Sequence, residues 1–305
     1  MNINRSDDVD IYQMVKILFR NILPIISITS FFAIVSVIYA LSLPNIYQSS
    51  ALLYPSESDD SAMSQLTQRY GSLASLAGVS LPPSETVSKA NITINKLYSR
   101  EFLGHLLTFD GVTEKLYASK KFNTNNGEII FDPEIFNSEK KAWVRKVEYP
   151  FSPEPSLLEV HDLYLSETLS VSHDRLTNFI TISVRHKSPI FAKEFLELII
   201  KELNNISRSE SIMQSNEALV YLNDRYSNAY DIQIKESISR IIESQMQIQM
   251  FANIRDDFLL RIIDKPYLPE KKISPTRSII CIFGTFIGFI FSIIFVFGRE
   301  FVRTR

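Results

Sequence analysis

Two stretches of the chain carry no charge. Residues 22–43 read ILPIISITSFFAIVSVIYALSL, and residues 279–297 read IICIFGTFIGFIFSIIFVF. A bilayer core of roughly 30 Å takes about 20 apolar residues as helix, and in hydrocarbon only a helix satisfies its own backbone polar groups. Both stretches therefore predict membrane-spanning helices. The first has a rival reading as a cleaved signal peptide, since Arg5, Lys16 and Arg20 precede it and Ala40-Leu41-Ser42 resembles a cleavage site. Its apolar block is longer than the usual core of about 7–15 residues, which favours an uncleaved anchor. Pro24 sits near its start, where the missing N–H does least harm.

Between the spans the pattern alternates in character. Residues 46–56, IYQSSALLYPS, are rich in β-formers and predict a strand ending at Pro55. Asp59 and Asp60 are placed to cap a helix starting near Ser61, and Gly71, Gly78 and Pro82-Pro83 punctuate its end. Residues 86–109 read as helical, with Ile92, Ile94, Leu97, Phe102, Leu103 and Leu106 apolar; NTNNG at 123–127 is a turn. Residues 132–156 are polar and proline-punctuated, with Trp143 expected in a short helix. Period-two alternation returns at 167–173 and 178–186, and the linker DRLT makes these an antiparallel hairpin.

From 190 to 264 there is no glycine or proline, and apolar residues recur every three or four positions, including Phe191, Phe195, Leu198, Leu219, Leu222, Tyr226, Ile234 and Ile241. That stripe predicts a long helical region over about 190–256. As one helix it would reach roughly 100 Å at about 1.5 Å per residue. The polar run NNISRSES, 204–211, is the expected break or exposed segment. Glu197/Lys201, Asp231/Lys235 and Glu236/Arg240 are spaced for i,i+4 pairs. The stripe fits either an intramolecular helical hairpin or packing against neighbouring subunits. Residues 257–264, DFLLRIID, read as a strand returning to the sheet. The fold class is α+β: a mixed α/β base near the membrane with long helices extending from it.

The resulting organisation is a cytoplasmic N-terminus (1–21), span one (22–43), a domain outside the cytoplasm (44–278), span two (279–297) and a cytoplasmic tail (298–305). Basic residues set the orientation. Arg5, Lys16 and Arg20 precede span one, whereas residues 44–68 hold no Lys or Arg. Around span two, Lys265, Lys271, Lys272 and Arg277 outvote Arg299, Arg303 and Arg305, but the first span is taken to dominate.

Composition narrows the chemistry. Across 305 residues the net charge is −2, which gives no argument for a nucleic-acid partner. The single cysteine, Cys281, lies in span two, so no internal disulfide or cysteine-based metal site is available. His105, His161, His173 and His186 have no metal-binding spacing. No nucleophile elbow or phosphate loop occurs, and the adjacent carboxylates Asp59-Asp60 and Asp256-Asp257 do not face one another on a helix. The expectation is no enzyme activity and no cofactor. Gly284 and Gly288 form G-x-x-x-G, which lets helix backbones approach closely in lipid; it suits packing on span one, on a copy of itself or on a partner.

One more segment stands out. KPYLPEKKISPTR, 265–277, places Pro266, Pro269 and Pro275 directly before span two. Proline fixes φ and disfavours helix in the residue before it, so the segment (265–278) reads as an extended, stiff tether. Lys271, Lys272 and Arg277 are expected at the lipid headgroups.

Taken with DDVDIYQMVKILFRN before span one, YGSLASLAGVSLP after the first strand, and ESISRIIESQMQIQMFANIRDDFLLRIID closing the long helix, this order resembles the Wzz-type polysaccharide co-polymerases. These are the chain-length determinants of lipopolysaccharide O-antigen. The resemblance covers essentially the whole chain and is strongest from about 219 to 288. It implies a two-pass protein of a Gram-negative inner membrane, which makes the domain over 44–278 periplasmic, and a ring-shaped homo-oligomer. Its implied partners are the O-antigen polymerase, the growing lipid-linked polysaccharide and membrane lipid. Pro266, Pro269 and Pro275 match the family's proline-rich segment, and Gly284 and Gly288 its glycine-containing second span. Members serving capsule and exopolysaccharide export carry a tyrosine kinase domain; this chain carries none, which fits the O-antigen branch. Two alternatives stay open: an export adaptor working with a separate kinase, and a two-span periplasmic sensor, against which the short tail argues.

Overall fold

The computed structural model describes residues 18–55, 89–254 and 257–303. The expected helix after Asp59-Asp60, most of the N-terminal segment, and residues 86–88 of the next predicted helix lie outside the described residues. The chain divides into two compact units: 46–271, and 1–45 together with 272–305.

The larger unit is built on a four-stranded antiparallel sheet. Its strands are β1 (Tyr47–Pro55), β6 (Leu169–His173), β7 (Ile180–His186) and β8 (Leu260–Asp264), in spatial order β6-β7-β1-β8. Alternation sets the inward face of β1: Ser49, Ala51, Leu53 and Pro55 are buried. Ala51 lies opposite Ile182 and Leu53 opposite Ile180, so apolar side chains meet across the ladder. Pro55 occupies the last position of its strand, where a missing donor is tolerated. The hairpin predicted around DRLT joins β6 to β7, with Leu169 opposite Val184.

Helices cover that inward face. The residues read as one helix at 86–109 form two, α2 (Lys89–Leu97) and α3 (Arg100–Leu106). Ser99 divides them, because its hydroxyl accepts from the Phe102 N–H at 3.1 Å and caps the second helix. After α4 (Val112–Ala118), β2 (Ser119–Asn123) and β3 (Glu128–Phe131) pair around the predicted NTNNG turn, where Gly127 takes φ of 72°. Trp143 is not helical. It sits in β5 (Ala142–Trp143), paired with β4 (Phe136–Asn137). The side chain of Asn137 accepts from the N–H groups of Glu139 and Lys140, which closes a turn rather than a helix. The helix of this region comes later, as α5 (Leu157–Leu163), with a Ser156/Glu159 capping box.

The long helix α6 (Pro189–Asn228) starts at a capping Ser188 with proline in its first turn. It packs Phe195, Leu196, Ile199 and Leu203 into the core with Tyr164. It runs unbroken through 204–211, where the sequence predicts a break or an exposed segment, and Asn204 and Ser207 are buried there. The polar residues there have partners that hold the helix down. Buried Asn204 accepts from the N–H groups of Leu259 and Leu260 at 2.8 and 2.9 Å and donates to the Leu260 carbonyl at 3.3 Å. Ser207 and Glu210 receive Lys96 at 3.4 and 2.6 Å. The break falls instead at residues 229–231. Ala229 leaves helical geometry, and the Asp231 carboxylate accepts from the Gln233 N–H at 2.7 Å to open α7 (Ile232–Ile254). α7 runs back along α6, joined by Ser215–Gln245 and Asn216–Gln249 hydrogen bonds. Glu236 pairs with Arg240 as expected at 2.7 Å, but Glu197 pairs back to Lys193 at 3.5 Å.

The smaller unit holds α1 (Ile22–Ser42) and α8 (Arg277–Arg303), each long and apolar enough to cross a membrane.

Candidate functional site

The uncharged helices meet at a close seam. A Cβ added to Gly284 would lie 2.3 Å from the Ser36 Cβ, and one on Gly288 would lie 2.4 Å from the Phe32 Cβ. Neither fits without movement, so both glycines face the other helix and permit its approach. Phe32 also stacks on Phe291, with centroids 5.8 Å apart. Of the three packings open to the glycines, this structure contains the one on α1.

Cations close the end of the seam. Arg277 donates from Nε to the Ala40 carbonyl at 3.2 Å and from Nη2 to the Asn45 side chain at 3.1 Å. Lys272 reaches the same Asn45 oxygen at 3.1 Å. The last carbonyls of a helix lack internal partners and carry partial negative charge, so a guanidinium there is favourable. Two of the cations expected at headgroups thus bind protein atoms at the end of α1.

The proline-rich segment contains no helix before Arg277. Pro266 and Pro269 are buried, while Pro275 is half-buried. The Ser49 hydroxyl donates to the Tyr267 carbonyl at 2.7 Å, which holds the segment's start beside β1.

The four histidines are dispersed. His105 bonds Glu202 at 2.8 Å, His161 donates to the Tyr98 carbonyl and His173 to Asn178. His186 is buried; its Nε2 donates to the Lys115 carbonyl while Nδ1 accepts from the Ser188 N–H. Burial, ahead of the opposing Lys115 carbonyl hydrogen bond, pushes its pKa down to about 4. Among the described residues no cluster of three His, Cys, Asp or Glu side chains is arranged to hold a metal.

Sequence reading missed Arg145. Its guanidinium forks onto Glu159 at 2.6 and 2.8 Å and reaches the Tyr117 hydroxyl at 2.9 Å. It also donates to the carbonyls of Ser152, Pro153 and Glu154. The guanidinium hydrogen bonds, outweighing burial, hold the Glu159 carboxyl at about 2. The S-x-x-E spacing of Ser156 and Glu159 was the available signal for the helix start; nothing local announced the arginine.

In class, then, the chain pairs two apolar spans with an α+β unit inserted between them in sequence. Residues 7–108 match the family model described as Wzz, chain length determinant protein. No curated protein matches the chain. Among solved structures, a full-length bacterial polysaccharide co-polymerase is 16% identical, covers 98% of this chain and 99% of its own, and superposes with a TM-score of 0.41. A fragment of WzzB, a polysaccharide co-polymerase from Salmonella Typhimurium, is 13% identical over 75% of this chain and 100% of its own, at a TM-score of 0.30. At those scores the superpositions carry no weight for function.

Proposed function

We infer that this protein is a non-catalytic regulator of O-antigen chain length. It resides in the inner membrane of a Gram-negative bacterium, with both termini cytoplasmic and the domain between the spans periplasmic. It acts as a homo-oligomeric ring beside the O-antigen polymerase and the growing lipid-linked polysaccharide. The observation that carries this reading is the match of residues 7–108, a stretch that includes α1 and β1, to the chain length determinant family model.

Two features support it. The glycine seam and its Arg277 closure make the two spans a packed pair. The hairpin of α6 and α7 leaves Val220, Tyr221, Ile232, Ile234 and Met246 exposed, large apolar side chains of the kind that mark interaction surfaces where they adjoin. A neighbouring copy would cover that surface and repeat it around a closed ring.

Deleting the gene in a host with the matching polymerase is expected to change the ladder of lipopolysaccharide lengths on a gel. An unchanged ladder would reject the reading. Co-purification of a polymerase is expected; a tyrosine kinase in its place would move the protein to capsule or exopolysaccharide export.

A further inference from the structure

The segment between β5 and α5 is an exposed loop made rigid by one buried side chain. Arg145 donates to the Ser152 carbonyl at 2.8 Å and to the Pro153 carbonyl at 2.9 Å, tying the loop's far limb back to its start. Glu159 holds the same guanidinium at 2.6 Å, and the Ser156/Glu159 capping box fixes where the loop enters α5. At the tip the Phe151 N–H donates to the Glu148 carbonyl at 3.0 Å and closes a tight turn. Compact loops whose ends meet and whose own side chains pack them are often functional.

This turn displays two aromatic rings. Tyr149 is 96% exposed and Phe151 is 55% exposed. Among the described residues neither ring stacks on another, lies under a cation or makes a side-chain hydrogen bond. Rings held out on an ordered loop cost little further entropy when they bind, which is how tyrosine-rich contact surfaces work.

We propose that Tyr149 and Phe151 form a stacking platform for the sugar rings of the polysaccharide. The carbon-bound hydrogens on one face of a pyranose carry partial positive charge. They suit the negative face of an aromatic ring, while the sugar's hydroxyl rim suits the Tyr149 hydroxyl and the neighbouring Glu148. The surrounding charge argues against the other occupants. With Arg145 neutralised by Glu159 of α5, the loop's remaining charges, Lys146, Glu148 and Glu154, leave it with one net negative charge. Membrane-seeking loops gather Lys and Arg instead, and the buried centre of a protein interface is depleted of charge. One pair of rings holds a sugar weakly, but several copies in one assembly raise the avidity.

The inference rests on the chain-length reading, and the experiment separates the two. Full-length protein in nanodiscs is titrated with polysaccharide released by mild acid from the host's own lipopolysaccharide. Y149A/F151A is expected to bind it at least about tenfold more weakly than the unsubstituted chain. Y149W, which keeps a platform, is expected to retain binding. Thermal melting and assembly mass are expected to be unaltered. The proposal is overturned by undiminished binding in the double variant or by an unsubstituted chain that binds no polysaccharide. Loss of binding to bare phosphatidylethanolamine–phosphatidylglycerol vesicles would assign the loop to the membrane and overturn it. A fall in assembly mass would assign it to a second copy, with the same consequence. If gene deletion leaves polymer lengths unchanged while the platform binds sugar, only the chain-length reading fails.

Discussion

Arg145 and Glu159 show what a single buried pair does. Their side chains are 10% and 18% exposed, so the pair is shielded from solvent, and removing one partner strands the other. Glu159→Gln is expected to destabilise the domain by about 2–4 kcal/mol, read as a lower melting temperature of the full chain. Because the Glu159 carboxyl is held near 2 against an ordinary 4.5, its contribution is complete above pH 4.5 and is lost as the pH falls towards 2. His186 acts at higher pH. Its folded pKa is near 4 against an ordinary 6.5, so between those values the unfolded chain binds a proton that the fold refuses. Stability is therefore lost as the pH falls from 6.5 to 4, by about 3 kcal/mol at most. His186→Gln can keep both hydrogen bonds without titrating. Melts at pH 7, 5 and 4 are expected to show a flatter decline for this variant over that interval.

At the scale of elements, periodicity carried most of the fold. The β6–β7 hairpin stands where alternation put it, β1 where its β-formers and Pro55 put it, and β8 within the stretch read as a strand returning after the long helix. Where expectation failed, a side chain changed a local preference. Ser99 capped a second helix inside an apolar pattern, and Asn137 turned a presumed helix into a hairpin. In 204–211 a polar run looked like a break because its partners lie far along the chain, on β8 and on Lys96. Asn204→Ala is expected to loosen the start of β8, with faster amide exchange at Leu259 and Leu260 and little change in β6. The glycine spacing was legible, but its partner was not, since Ser36 and Phe32 are separated from it by the whole inserted unit. Gly284→Ile is expected to push α8 from α1. Cross-linking between cysteines placed at Phe32 and Phe291, whose rings stack across the seam, in a Cys281→Ala background, is then expected to fall.

For the whole molecule, the exposed stripe on the α6–α7 hairpin is the feature with the largest consequence for assembly. Val220→Asp with Ile234→Asp is expected to lower the mass of the detergent-solubilised particle without unfolding the sheet domain, since both residues lie outside its core. An unchanged mass would reject this stripe as an assembly surface. Replacing Pro266, Pro269 and Pro275 together with alanine is expected to alter polymer length or assembly while leaving insertion intact. Unaltered length and particle size would reduce the tether to a passive linker.

The seam also dictates an order of events during biosynthesis. About 250 residues separate Ser36 from Gly284, so at about 5–20 residues/s the glycine notch is synthesised on the order of ten to fifty seconds after the residue that fills it. Through that interval the first helix waits in lipid without its mate. Ser36 is equipped for the wait, because its hydroxyl already donates to the Ala33 carbonyl of its own helix at 3.1 Å. The unit inserted between the two helices therefore has time to begin folding before they can pair.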